Sequence, residues 1–348
     1  MGKLFSFRYG LLLSILLFSI SLYGFVKEYK HSHIEDNSFS TQEDQYVDDF
    51  QLNPLKNNDL PNKSVNSDKD SSLPFNSSPI YRDISLNVSD SWITLGDSVD
   101  SLMDKLGSPN RIAKTEMDYD YYVYNKDYSK LLLVAIRENE VIGYYTDSID
   151  FNYLDIEPGS SLDMVNKTLN SSFSLDYVLT HTTENYKLHI FMDELGSHAV
   201  TGISLLSTDV KEKAYTVRVM RDTELLVYDL TNSIRERMGL PLLSWSSTAA
   251  RAAERHSKDM AEHSYFDHYD SYNNTPGDRL NKEGISYQSI GENIIAGYEN
   301  AIISCHAWFN SPDHRDNILN KNFQSLGVGY TYLENSIYKK YITQIFYR

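Results

Sequence analysis

Three polar residues in the last quarter of the chain form a set that could do chemistry: His268 ending "SYFDH", Glu292 in "GENI" and His314 in "SPDHR". Two neutral imidazoles and a carboxylate suit a divalent cation such as Zn²⁺ with a water in the remaining position, an open and potentially catalytic geometry. The same three groups could equally make a hydrogen-bonded polar floor. Their separations of 24 and 22 residues are no local metal motif, unlike the two histidines of an HExxH helix. His314 lies behind a marked helix start, with Ser311 as N-cap, Pro312 at the first helical position and Asp313 facing the positive helix end. The helix dipole disfavours imidazolium there by about 0.3–1 kcal/mol, while Asp313 pulls the other way. A neutral ring that binds metal or accepts a proton is expected, with a plain surface histidine behind a good cap as the alternative.

These residues need elements to hold them. "DTELLVYDLTNSIRERMGLP" places Leu226, Leu230, Ile234 and Met238 at i, i+4 steps and stops at Gly239 before Pro241, the pattern of a helix from about Asp222. "SSTAARAAERHSKDMAEHSYFDH" follows, with Ala249, Ala253, His256 and Met260 on one face of a second helix. His256 is expected to be a hydrogen-bonded core residue. The only cysteine, Cys305, sits among apolar residues in "AIISCHAW" and reads as a buried structural thiol, so cohesion must come from packing without a disulfide. Gly291 is expected to turn the chain tightly beside Glu292, and Asn293 to hold that turn through backbone hydrogen bonds.

Upstream lies an internal repeat. "GDSVDSLMDKLGSP" from Gly96 and "GSSLDMVNKTLNSS" from Gly159 align on their glycines, with Leu102 and Leu106 answering Val165 and Leu169. Each reads as a capped amphipathic helix followed by alternating, hairpin-like runs. Residues 81–213 are therefore expected to form an α+β domain of two helix-plus-strands units. His181, His189 and His198 are dispersed through it, and His189 is expected to alternate along a strand.

The N-terminus sets the expected location. Lys3 and Arg8 precede the uncharged apolar run Tyr9–Val26, which approaches membrane-spanning length. Residues 1–26 thus read as an uncleaved anchor, with the remainder outside the cytoplasm, or alternatively as a signal for secretion. Residues 27–80 are rich in Asn, Ser, Asp and Lys without periodicity and read as a disordered linker. Such a tether would reach roughly 40 Å. A net charge of −16 and scattered lysines offer no basic field to phosphates, which excludes a nucleic-acid partner.

The words around the triad, "LTNSIRERMGLPLLSW", "AARAAERHSKDMAEHSYFDH", "GENIIAG", "AWFNSPDHRDNILN", "LGVGYTY" and "YITQIF", fall in an order that resembles the CAP superfamily (cysteine-rich secretory, antigen 5 and pathogenesis-related 1; SCP domains). The layout resembles bacterial membrane-anchored members with a CAP-associated N-terminal domain. The resemblance implies an α-β-α sandwich over residues 222–348 and a cleft in which His268, Glu292 and His314 are the matching site residues, with Asn293 and Trp308 as further candidate binding residues. Where many eukaryotic relatives carry a glutamate, three residues after Trp308, this chain has Ser311, so a triad is implied. Three readings follow: a tethered binding module for a cell-wall, lipid or protein ligand, with or without a divalent metal in the cleft; a metal-dependent hydrolase with Glu292 as ligand or general base; or a purely structural role in which the triad is a relic and the repeat domain does the binding. The first is favoured because no GxSxG, CxxC or HExxH motif is present.

Overall fold

The computed structural model describes residues 84–348, all within one compact unit. The expected anchor and linker lie outside the described residues. Among the described residues no helix is long and apolar enough to cross a membrane. The described residues form an α+β architecture with seven α-helices and three sheets.

The repeat seen in the sequence is a repeat in space. Helices α1 (Val99–Leu106) and α2 (Leu162–Leu169) are each capped by a serine, Ser98 accepting from Ser101 N–H and Ser161 from Met164 N–H. Two residues before each cap stands a glycine in the left-handed region, Gly96 at φ 87° and Gly159 at φ 90°. Their N–H groups donate to equivalent carbonyls, Gly96 to Val141 (2.8 Å) and Gly159 to Val200 (2.9 Å). Leu102 and Val165 are both fully buried on the inner helix faces.

Each unit adds a three-stranded meander. The first is β4 (Asp120–Tyr124), β5 (Leu132–Arg137) and β6 (Glu140–Thr146); the second is β8 (Val178–Thr182), β9 (Tyr186–Met192) and β10 (Val200–Ser207). With β3 (Arg111–Lys114) at one edge they form an antiparallel sheet in the order β3-β4-β5-β6-β10-β9-β8, the two units meeting at β6 and β10. The β5–β6 turn uses Glu138 and Asn139, both at positive φ, the geometry that matches strand twist in a tight hairpin. One sheet face packs on α1, α2 and a small sheet of β1 (Ser85–Val88), β2 (Ser91–Thr94) and β7 (Phe151–Asn152).

The other face does not meet water. It packs on α3 (Val217–Arg237) and on α6 (Ala301–Phe309), so residues from both halves of the chain share one hydrophobic core. Helix α3 starts at Val217 behind the cap of Thr216, earlier than the expected Asp222. Its apolar stripe ends at Ile234, because the helix closes at Arg237 and leaves Met238 45% exposed. The helix is enclosed nearly all round, and two of its buried polar residues find partners in the upstream domain. Asp229 accepts from Arg111 (2.7 Å), Asn125 and Tyr128 (both 2.8 Å), and Ser233 donates to Asp147 (2.6 Å).

The C-terminal sandwich is centred on a sheet in the order β11-β13-β14-β12, with β11 (Ser244–Trp245), β12 (Ile290–Ala296), β13 (Ser325–Tyr332) and β14 (Lys340–Tyr347). Alternation along "YITQIF" distributes β14 between two helical layers. Tyr341, Thr343 and Ile345 face α4 (Ser247–His263), while Ile342, Gln344 and Phe346 face the α3 side. Gly329 of β13 explains the alanine-rich face of α4: a Cβ there would lie 1.9 Å from the backbone nitrogen of Glu254. Cys305 is buried in α6, as its surroundings predict.

Candidate functional site

The cleft is assembled from three elements and a loop. Glu292 stands on β12, paired with Ile345 of β14, and its parity turns its side chain toward the α4 layer. His268 sits in the loop between α4 and α5 (Pro276–Lys282). That loop is pinned by Asp259, which accepts from Tyr265 Oη (2.5 Å), Ser271 N–H (2.8 Å) and Ser271 Oγ (2.7 Å). His314 lies in the first turn of α7 (Pro312–Ile318), with Pro312 at its start.

His268 and Glu292 meet directly, with His268 Nδ1 2.9 Å from Glu292 Oε1. The hydrogen bond to this carboxylate raises the His268 pKa above its usual value against the opposing effect of partial burial. The other carboxylate oxygen belongs to Arg279 of α5, whose Nη2 donates to Glu292 Oε2 at 2.5 Å. Arg279 is itself buried and donates through Nη1 to the carbonyls of His268 (3.1 Å) and Asn274 (3.0 Å). One guanidinium therefore neutralises the acid and anchors the histidine loop. Thr275 and Asp278 form a capping box that starts α5 and sets Arg279 toward the cleft.

His314 takes a different partner. Ser311 caps α7 by position but makes no side-chain bond to the helix backbone; its Oγ lies 2.9 Å from His314 Nδ1 instead. Burial lowers the His314 pKa, and the nearby His268 lowers it further, with Asp313 opposing. His256, expected in the core, is 1% exposed, bonds through Nε2 to the Asp267 carbonyl (3.0 Å) and comes within 3.9 Å of Glu292 Oε1. Among the described residues no group of three or more His, Cys, Asp or Glu is arranged to hold a metal ion.

Gly291 and Asn293 are not in a turn, contrary to expectation; both lie inside β12. A Cβ at Gly291 would come within 2.5 Å of Asn317 Oδ1 and 2.8 Å of Phe323 Cζ, so a side chain there must displace both. Asn293 donates to the His314 carbonyl and to Gln344 Oε1, each at 3.1 Å, and accepts from Asn317 Nδ2 at 2.9 Å. It thus ties β12 to α7 and fixes the height of the His314 turn. Trp308 is 1% exposed, and its Nε1 donates to the Ile294 carbonyl at 3.1 Å. Asn317 likewise donates to the Glu292 carbonyl at 3.1 Å. Side chains thereby cover the outer edge of β12, which would otherwise present free carbonyls. Beside His314 and Ser311 opens a groove of about 280 Å³ with an apolar lining that includes Phe266, Ile294, Trp308 and Tyr338.

Arg279 and Ser311 are the cleft residues that sequence reasoning did not assign. "TPGDRL" carries a legible capping box, but nothing local says that its arginine turns inward. The sequence marks Ser311 as a backbone cap, and only the side-chain geometry redirects it.

The comparisons agree with this architecture. Residues 228–346 match the cysteine-rich secretory protein (CAP) family and residues 95–216 the CAP-associated N-terminal family. The uncharacterized membrane protein YlbC of Bacillus subtilis is 28% identical over 289 residues, spanning 72% of this chain and 82% of that protein. The uncharacterized protein YkwD of the same organism is 42% identical over 107 residues, 31% of this chain and 42% of its own length. An extracellular SCP-domain protein from Bacillus anthracis has the same fold, with a TM-score of 0.62 at 24% identity, over 83% of this chain and all of that one. A cysteine-rich secretory protein from Staphylococcus aureus gives 0.57 at 17% identity, over 73% and 91% of the two chains. The chain therefore carries a CAP domain at residues 228–346, preceded by a CAP-associated N-terminal domain at residues 95–216.

Proposed function

We propose that the chain is a binding module of the cell envelope and that the cleft at His268 and His314 is its recognition site. The observation that carries this reading is the engagement of Glu292. Both carboxylate oxygens are occupied, by His268 and by buried Arg279, so the acid positions His268 and is poorly placed to serve as a base. The groove beside His314 supplies apolar surface for a ligand, with the two imidazoles as its polar end. Location at the envelope, through an anchor at residues 1–26, is supported by the B. subtilis relative's description as a membrane protein and the B. anthracis neighbour's as extracellular. Cell-wall polymer, lipid and protein are the ligand classes to be screened.

A divalent cation such as zinc enters this reading through the Nε2 atoms of His268 and His314, since both Nδ1 atoms are engaged. The Glu292–His268 bond would orient the ring, as carboxylates commonly do behind metal-bound histidines. Glu292 itself does not fit as a direct ligand while Arg279 holds it. Cosedimentation of the full chain with purified cell walls and with membrane vesicles tests the module: the His268→Ala/His314→Ala variant should lose binding, and equal binding by both proteins refutes the reading. Equal metal content after dialysis removes the metal.

One observation favours the hydrolase alternative: the pKa values of the two histidines are pushed apart, His268 up and His314 down, as in acid–base pairs. Identical rates for wild type and Glu292→Gln across peptide, ester and peptidoglycan substrates would end that alternative.

A further inference from the structure

A second cavity, of about 310 Å³, opens where the seven-stranded sheet meets the CAP domain, away from the histidine cleft. One wall is sheet, including Tyr121, Phe191, Ser204 and Leu206; the other is CAP domain, including Leu226, Ile303, Tyr330 and Ile342. Neither domain forms it alone. Its size falls within the range of small-molecule sites, which favour domain junctions.

The lining limits what could bind. Its formal charges are three lysines and three glutamates, which cancel. Each lysine is already held: Lys340 by Glu116 (3.1 Å) and the Glu299 carbonyl (2.6 Å), Lys187 by Glu299 (3.8 Å), and Lys114 by Asp120 (2.6 Å). An anion would have to displace these pairs. A bare hydrocarbon fits no better, because three buried tyrosines, each with a hydroxyl, are among the residues that line it. Tyr119 and Tyr121 share one long bond of 3.4 Å, and the hydroxyl of Tyr330, a residue 4% exposed, has no hydrogen-bond partner among the described residues. Each hydroxyl can both donate and accept a hydrogen bond, so most of this capacity is available to a guest. The tyrosine rings supply the apolar faces on which a flat, hydroxylated ring can rest.

We propose that this junction cavity binds a neutral, hydroxylated ring compound of one or two rings, a mono- or disaccharide, with Tyr119, Tyr121 and Tyr330 as its hydroxyl contacts. Such a guest touches both walls, so it would also tie the two domains together. This site is independent of the histidine cleft and of the function proposed for it.

The test is calorimetric titration of the purified full chain with cellobiose, maltose and N,N′-diacetylchitobiose, each up to about 10 mM, near the weak end of measurable affinities. At least one should bind. Tyr330→Phe, which removes only a hydroxyl, should weaken it about five-fold, within the range of one hydrogen bond. Val210→Trp, which places a large ring in the cavity from a connecting loop, should abolish it, and His268→Ala/His314→Ala should leave it unchanged. The proposal is overturned if none of the three sugars binds. It is also overturned if Tyr330→Phe and Val210→Trp both bind as wild type does, which would place the sugar elsewhere. Binding of palmitate in the cavity without any sugar would make this a lipid site and overturn it as well.

Discussion

Replacing Arg279 by methionine removes the charge and keeps most of the volume. The Arg279 and Glu292 side chains are 6% and 2% exposed, so the carboxylate would be left in a dry site with one partner, His268. Removing one member of a buried pair costs about 3–5 kcal/mol. Because His268 is half exposed and stays to neutralise the acid, the lower end applies, about 3 kcal/mol. For a body of this size that is roughly 6 °C in Tm, at about 2 °C per kcal/mol. Glu292→Gln alone should also destabilise, since it strands the guanidinium. The double variant Arg279→Met/Glu292→Gln should recover at least about 2 kcal/mol relative to the sum of the singles, because neither charge is then left unpaired. Urea unfolding of the four proteins measures this cycle. A cost below about 1 kcal/mol for Arg279→Met, or additive singles, would mean that the carboxylate is not held as described and would remove the main argument against Glu292 as a base.

Other consequences are open to measurement. The His268 pKa is raised by Glu292, so its stabilising contribution is complete below the unfolded value of about 6.5 and is lost as pH rises through the folded value; NMR titration of the ring should show the elevation disappear in Glu292→Gln. His306 behaves oppositely. It is fully enclosed, stacked on Phe191 at 3.9 Å and bonded to Tyr145 Oη at 2.9 Å, and burial drives its pKa well down. Stability should therefore fall as pH drops below about 6.5, by up to about 1.4 kcal/mol per pH unit, and His306→Gln should flatten that slope in unfolding curves. Gly329→Ala should cost about 3 kcal/mol or fail to fold, because the added carbon meets helix backbone that cannot move aside; a cost under 1 kcal/mol would show that α4 can shift. Trp308→Phe should lose about 1 kcal/mol with the edge-strand hydrogen bond, read from the denaturation midpoint.

What the sequence determined by itself is local or periodic. The capped repeat helices were legible because a glycine, a serine cap and an inward leucine or valine recur at matching spacings, and the folded units use these residues equivalently. The buried face of α4 with Ala249, Ala253, His256 and Met260 was legible for the same reason, and the family's motif words put His268 and Glu292 in one cleft, where the two side chains meet. Tertiary structure alone decided the rest. The inward turn of Arg279, the redirection of Ser311 from backbone to His314, and the polar burial of α3 depend on partners from other parts of the chain. A helix pattern shows which residues share a face but not how many neighbours enclose it. Here α3 is covered on both sides, so its charged residues became internal contacts between two domains that the sequence presents as separate.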